Sequence, residues 1–326
     1  MVTLNLIIDG NYLLHRHVHT LHKNKLLFGG LEKSLEVAVT NYRKWYPFHS
    51  IYFVSDTKKS SWRKKLYGDY KIKRKKPSDI DWGFVYSTYG DFKSTLRDRK
   101  IKLLESESVE GDDWVSYIVS QSNAKGTSNL IVSNDYDIKQ LLTYGLDPMY
   151  MNFMTNEMAN RQKFFFPRNH HLFLDRVREQ QSQDVFDMND DSEFLGYVAM
   201  VKERFVHLEV DPVGSMLTKV ISGDTSDNIR SVWSSKTKTG KTIGIGEKGA
   251  EGIMVRYRAE FGEPSLQDPD LCENIADLIC ESKRLSKTMI PKIASRIKDN
   301  MTLINLDCGG MPDEVRNLMT NEYQSV

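Results

Sequence analysis

LNLIIDG, residues 4–10, is a short apolar run that stops at an aspartate and a glycine. A run of this length, apolar without alternation, reads as a strand covered on both faces and ended by a polar turn. The same pattern recurs in SIYFVSD (50–56) and SNLIVSND (128–135). Outside these runs, Leu31 to Trp45, Gly111 to Ser122 and Ile138 to Gly145 carry apolar residues at helical spacing. Strands alternating with helices predict an α/β fold around a mainly parallel sheet with flanking crossover helices. In such sheets ligands collect beyond the carboxyl ends of the strands. Asp9, Asp56, Asp135 and Asp137 fall at those ends.

Two further acidic groups complete the pattern: Glu110, Asp112 and Asp113 in VEGDD, and Asp224 and Asp227 in GDTSDN. Asp112 and Asp113 would lie in the first turn of a helix, where the macrodipole favours negative charge, so an acidic helix cap explains that cluster equally well. Five clusters at element ends are harder to explain as caps. Carboxylates are costly to gather unless a cation holds them, and hard ions such as magnesium or manganese prefer oxygen ligands. A two-metal site acting on phosphodiesters is the simplest chemistry for the set.

The charge distribution agrees. The net charge is only +1, yet SSWRKKLYGDYKIKRKK (60–76) sets Arg63, Lys64, Lys65, Lys71, Lys73, Arg74, Lys75 and Lys76 against a single Asp69. A basic stripe beside a metal-neutralised acidic pocket suits a phosphodiester substrate. No apolar run approaches the roughly 20 residues of a membrane helix. The chain opens directly on a strand, and Cys272, Cys280 and Cys308 lack metal-ligand spacing, so reduced thiols in a cytoplasmic protein without a signal peptide are expected. His15, His17, His19 and His22 follow the first strand at a spacing that scatters them around a helix, which favours surface or partly packed side chains over ligands.

Between 155 and 209 the periodicity weakens and an elaborated connection, holding a hairpin and a helix, is expected. From Ser215 the chain turns helical again, and a Ser, Lys and Thr-rich loop (SSKTKTGKT, 234–242) leads to GIGEKGA (244–250). Gly244 and Gly246 let the backbone approach a phosphate and Lys248 adds charge. Two domains are therefore expected, 1–214 and 215–326.

The ordered series IIDG, FVSD, WRKKLYGDYKIKR, VEGDD, VSNDYDIKQL, GDTSDNI and GIGEKGA resembles the flap endonuclease and 5′-nuclease family over about Leu4 to Met254. DIDWGF and MLTKVISGDTSDNIRSV resemble in addition the stand-alone ribonuclease H branch of T-even-like phages. The resemblance implies a PIN-like core, a helical arch over about 58–100 and a helix–three-turn–helix motif for duplex DNA. It implies that Asp9, Asp56, Glu110, Asp112, Asp135 and Asp137 surround a first metal, and that Asp113, Asp224 and Asp227 serve a second metal or its waters. Two Mg2+ ions are implied, with Mn2+ able to substitute, and a K+ ion at Gly244 and Gly246. Lys71 and Arg74 would stabilise charge on the scissile phosphate, and Tyr70 would stack on a terminal base. Arg63, Lys64, Lys73, Gly244, Gly246 and Lys248 would contact DNA.

The implied function is a structure-specific 5′-nuclease, both 5′-3′ exonuclease and flap endonuclease, with ribonuclease H activity in primer removal during phage DNA replication. Its partners would be branched or 5′-ended duplex DNA, RNA/DNA hybrid and a single-strand-binding protein or clamp, with a monomeric chain and no membrane. A catalytically weak junction-binding protein of the same fold is the competing reading. A metal-dependent phosphatase is disfavoured, because no DxD pair follows the first strand. Three departures stand out: Gly111 occupies the place of a usual Ala, GDTSDNIRS lacks a Pro-Gly after Ile229, and SSKTKTGKT lengthens the route to GIG.

Overall fold

The computed structural model describes residues 4–43, 48–57, 61–74, 76–143, 149–152, 157–159, 206–207, 211–307 and 310–326. The chain forms two units. One comprises Met1–Lys59, Pro77–Val210 and Asp313–Val326, the other Ser60–Lys76 and Asp211–Pro312.

In the first unit, β1 (Leu4–Asp9) is buried along its whole length. It runs into α1 (Gly10–Lys23) and α2 (Leu27–Arg43), then β2 (Ile51–Val54). The short α3 (Trp62–Leu66) belongs to the second unit, and the first resumes with α4 (Trp82–Ser94), β3 (Lys102–Leu104), α5 (Gly111–Ala124) and β4 (Ser128–Val132). A 3-10 helix (Tyr136–Thr143) follows, then β5 (Met149–Asn152), β6 (Glu157–Ala159) and β7 (Val206–His207). The strand order is β3-β2-β1-β4-β5-β6-β7, with β1 parallel to both β2 and β4. β6 is antiparallel to β5, and β7 is parallel to β6. The winding reverses between β3 and β4, which leaves a topological switch point between β1 and β4, where doubly wound sheets place their ligands.

Local chemistry explains why the chain turns sharply at that point. The Asp9 carboxylate accepts the Tyr12 N–H at 3.0 Å and so caps α1, worth about 1 kcal/mol. Gly10 follows because nothing larger fits: a Cβ there would lie 2.3 Å from the Phe53 ring and 2.4 Å from Tyr89 Oη. α1 spreads the four histidines as expected of packed and surface side chains. His17 Nδ1 meets Ser34 Oγ at 2.5 Å, and His22 Nε2 meets Asp79 at 3.0 Å.

The segment 58–100, expected as a helical arch, is divided between the two units. Val85, Tyr89 and Phe92 make a buried stripe that holds α4 in the core of the first unit, whereas Tyr70 lies in the core of the second. Beside the expected boundary at 214, the chain divides at 210–211, and the C-terminal α10 (Asp313–Ser325) belongs to the first unit. There Tyr323 stacks on Tyr52 at 5.9 Å and meets Tyr117 edge-on at 5.5 Å. The expected 155–209 connection lies almost wholly outside the described residues.

The second unit adds to α3 the helices α6 (Pro212–Ser222), α7 (Glu247–Phe261), α8 (Leu271–Lys283) and α9 (Ile290–Ile304), with a hairpin of β8 (Ser234–Lys236) and β9 (Thr242–Gly244). Met216, Leu217, Val220, Ile253, Tyr257, Ile275 and Ile297 supply its core. Cys272 and Cys280 are buried free thiols. No helix among the described residues is long and apolar enough to cross a membrane.

Candidate functional site

Asp9, Asp56, Asp135 and Asp137 lie at or just beyond the ends of β1, β2 and β4, at and beside the switch point. Register sets the first contact: Ile8 pairs with Val132, so the residue after β4 stands beside the residue that ends β1. Ser133 Oγ accordingly donates to Asp9 Oδ2 at 2.7 Å and accepts the Asp135 N–H at 3.0 Å. Asp135 Oδ1 accepts the Asp137 N–H at 2.8 Å and opens the 3-10 helix. On the other side of β1, Asp9 pairs with Val54, which sets Asp56 two residues beyond β2. Asp56 Oδ1 accepts the Gly111 N–H at 2.6 Å, at the first turn of α5. Glu110 and Asp113 close a reciprocal capping box on that helix, and the Glu110 N–H reaches Asp113 Oδ2 at 3.0 Å. Gly111 has its own reason here: a Cβ would meet Asp56 Oδ1 at 3.3 Å.

Electrostatics singles out Asp9. Burial raises its pKa to about 6, against the pull of the Tyr12 and Ser133 hydrogen bonds, and the charges of Asp135 and Asp56 push it further up. Among the described residues, no three acidic, histidine or cysteine side chains converge closely enough to hold a metal ion as they stand. Asp56, Asp113 and Asp135 each turn one oxygen to a local backbone N–H. The donor set is nonetheless the all-oxygen kind that hard divalent cations take, with a buried carboxylate at its centre.

A pH test follows. The metal-free folded state holds the Asp9 proton up to about pH 6, whereas the unfolded chain releases it near 3.8. This raised pKa therefore contributes stability below 3.8 that is lost as pH rises through 6. A divalent cation bound there competes with that proton, so Mn2+ is expected to raise the melting temperature more at pH 7.5 than at pH 5. An equal rise at both pH values would remove Asp9 from a cation site.

In the second unit, GDTSDNI forms a tight loop. Asp224 and Ile229 exchange two backbone hydrogen bonds, of 2.9 and 2.7 Å. Asp224 Oδ1 accepts from Ser226 N and Oγ at 2.7 and 2.6 Å, and its other oxygen pairs with Lys219 at 2.8 Å. Burial would raise the Asp224 pKa, but the Lys219 ammonium and the Ser226 hydroxyl bring it down to about 2. The basic turn is locked onto the same loop. The Lys71 N–H reaches Asp227 O at 2.8 Å, Asn228 Nδ2 donates to Asp69 O at 3.0 Å, and Arg74 Nε meets Asp227 Oδ1 at 3.1 Å. Lys71 Nζ lies 4.9 Å from the Tyr70 ring centre. Lys71, Arg74, Asp224 and Asp227 are thus brought together, with both carboxylates already held by cations of the protein.

Arg63 and Tyr70 depart from the expectation. Arg63 is 1% exposed, donates from Nε to Leu303 O at 3.0 Å and lies over the Trp62 ring at 4.4 Å. Tyr70 is 3% exposed in the core of the unit. Lys64, Lys73 and Lys248 are exposed. Gly246 caps α7 and faces open space, whereas Gly244 is packed, a Cβ there meeting Ser231 Cβ at 2.9 Å.

Three residues escaped the sequence reading. Ser133 sits inside VSND, where a hydroxyl between strand and acid was the clue. Lys219 is the lone cation in an apolar helix, five residues before Asp224. Asn300 shares the stripe Ile293, Ile297 and Ile304 and is buried; its amide donates to Val220 O and Arg230 O at 2.8 and 2.9 Å, fixing both ends of the acidic loop.

Residues 4–166, half of the 326-residue chain, match the family model for the 5′-3′ exonuclease N-terminal resolvase-like domain. Flap endonuclease Xni of Shewanella piezotolerans is 34% identical over 137 residues, 42% of this chain and 51% of the relative. The Shewanella denitrificans Xni protein is 31% identical over 138 residues, covering 52% of its length, so the chain spans about half of these relatives. A 5′-3′ exonuclease of Mycoplasmopsis pulmonis is 21% identical over 254 residues, 78% of this chain and 67% of that protein. Among solved structures, a phage T5 5′-exonuclease with bound zinc aligns at TM-score 0.61 and 18% identity, covering 99% of each chain. The T5 flap endonuclease in a pseudo-enzyme-product complex with DNA and metal ions aligns at 0.59 and 17%, covering 99% of this chain and 98% of that one. At these identities the two structures bear on the fold alone.

Proposed function

The chain belongs to the 5′-3′ exonuclease family, and on that premise we propose that it is a metal-dependent 5′-nuclease, cutting phosphodiester bonds from 5′ ends and at 5′ flaps of branched duplex DNA. The observation that carries the reading is the carboxylate set at the switch point, with the Asp9 pKa raised chiefly by burial and further by the charges of Asp135 and Asp56. Asp9, Asp56, Glu110, Asp112, Asp135 and Asp137 would hold one divalent cation, with Mg2+ as the working ion and Mn2+ as a substitute. Asp113, Asp224 and Asp227 would serve a second. Such cations supply Lewis-acid activation of the phosphate and of the attacking water.

The remaining roles belong to the chain. Ser133 holds Asp9 in place, and Asp56 is oriented by the Gly111 N–H. Lys71 and Arg74 are the cations offered to charge developing on the phosphate, Arg74 exchanging Asp227 for the substrate. Lys64, Lys65, Lys73 and Lys76 attract the backbone, and Gly246 with Lys248 anchors duplex phosphates. Gly244 and Gly246 are also where a K+ ion would sit. Removal of RNA primers in replication, with RNA/DNA hybrid as a substrate and a single-strand-binding protein or clamp as partner, is the finer form of the proposal. So are a phage origin, a monomeric chain and action in the host cytoplasm.

The unconverged carboxylates are the one observation favouring a junction-binding protein without turnover. A panel of 5′-flap, 3′-flap and RNA-primed nicked duplexes separates the readings. Cutting of the 5′-flap and RNA-primed substrates alone is expected. Equal cutting of the 3′ flap would contradict the polarity, and tight binding without cutting would leave the junction-binding reading.

A further inference from the structure

We propose that the β8–β9 hairpin is a second, cationic anchor for the phosphate backbone of duplex DNA, next to the glycine turn that opens α7. The proposal rests on the nuclease reading and adds to it a surface that the family resemblance leaves as an unexplained lengthening.

The lengthening is an ordered ribbon. Ser234, Ser235 and Lys236 pair with Gly244, Ile243 and Thr242. Its tip is closed by Thr237 N–H to Lys241 O at 2.8 Å, Gly240 N–H to Thr237 O at 2.9 Å and Lys241 N–H to Thr237 Oγ1 at 3.0 Å. Gly240 takes the positive φ of 79° that this turn requires. The base is equally fixed. Ser231 Oγ accepts the Ile245 N–H at 3.0 Å and stands 3.1 Å from Ile221 O and 3.0 Å from Trp233 O. One hydroxyl thus ties the end of α6, the root of the hairpin and the entry to α7.

The chemistry of the ribbon points to phosphate. Between Asp227 and Glu247 there is no acidic residue, while Arg230, Lys236, Lys238 and Lys241 are all exposed. Among the described residues, no ion pair engages Lys236, Lys238 or Lys241. Thr239 and Thr242 are exposed beside them, hydroxyls of the kind that accompany lysine on phosphate oxygens. The ribbon carries no aromatic side chain for stacking on unpaired bases, and no Arg, Asn or Gln between 234 and 244 to read base edges. The nearest ring, Trp233, is partly buried with Lys283 5.7 Å from its centre. Lysine and threonine side chains on a short ribbon suit phosphate oxygens, and a backbone contact indifferent to sequence is the form of binding proposed.

The test is binding of a fluorescent 5′-flapped duplex in EDTA, titrated over a range of salt, for the wild type, a K236A/K238A/K241A variant and the matching triple lysine-to-arginine variant. Each phosphate that the protein no longer neutralises takes about 0.9 off the slope of log affinity against log salt, so the alanine variant is expected to flatten the slope by roughly 2 to 3. Affinity at the lowest salt should fall at least about tenfold, and the arginine variant should restore both. An unchanged slope, or a loss that arginine does not restore, would overturn the proposal. So would loss of binding to an acidic polyglutamate probe with DNA binding intact, which would give the ribbon to a protein partner. Absence of cutting by the wild type once Mg2+ replaces EDTA would count against the nuclease reading instead, since the slope comparison needs no turnover.

Discussion

Asp135→Asn is expected to slow magnesium-dependent flap cleavage by about a thousandfold or more, roughly 4 kcal/mol in the barrier, with the fold and DNA binding retained. The substitution removes a charge and little else. Asp135 holds its turn through one oxygen that accepts the Asp137 N–H at 2.8 Å, and an amide oxygen can accept the same bond. Its backbone N–H stays on Ser133 Oγ. Loss of the charge should also relieve Asp9, whose raised pKa Asp135 helps to sustain. Single-turnover rates beside circular dichroism and duplex affinity measure the effect. Unchanged turnover would place Asp135 outside the metal site and leave it as a turn residue.

Gly223→Ala is expected to destabilise the second unit by about 3 kcal/mol or more, a fall of roughly 10 °C in its melting temperature. Gly223 ends α6 at φ 78° and ψ 177°, a conformation that side chains rarely adopt. A Cβ there would lie 2.5 Å from Ile229 O and 2.6 Å from both Arg230 C and Ser231 N. These are backbone atoms, so no rotamer relieves the clash. The loop that would have to move carries Asp224, Asp227 and the anchor for the Lys71 turn. Gly252→Ala is the control: it sits in α7 with nothing within 4 Å of the added carbon and should stabilise by up to about 1 kcal/mol. Thermal melts that ranked the two variants together would contradict the assigned strain.

Much of the first unit was legible because its strands end where their chemistry changes. LIID, IYFV and LIV are largely apolar on both faces, so the parallel sheet could be read from periodicity, whereas the switch point rests on a strand order that only the fold shows. β3 was not legible, since Lys102–Leu104 is three residues long and only Leu104 is fully covered. The acidic clusters were legible as positions but not as conformers. Sequence places Asp56 beyond β2, yet only the fold shows it bonded to the Gly111 N–H. The basic stretch misled for a physical reason: a run of cations says nothing about which one turns inward. Arg63 is a buried partner of a carbonyl, and Tyr70, flanked by charges, is a core residue. SSKTKTGKT looked like a loop because Ser and Thr serve strands and turns alike, and its pairing is set by the Ser231 hydroxyl at its root.

The most direct test of the account is cleavage of a 5′-labelled flap on a nicked duplex by the wild-type chain, in Mg2+ and in EDTA, beside a blunt duplex of the same sequence. The account predicts cutting near the junction or from the 5′ end in Mg2+, and none in EDTA. Cutting that survives EDTA would contradict a metal-dependent carboxylate site, and tight binding without cutting in either Mg2+ or Mn2+ would contradict catalysis at the switch point.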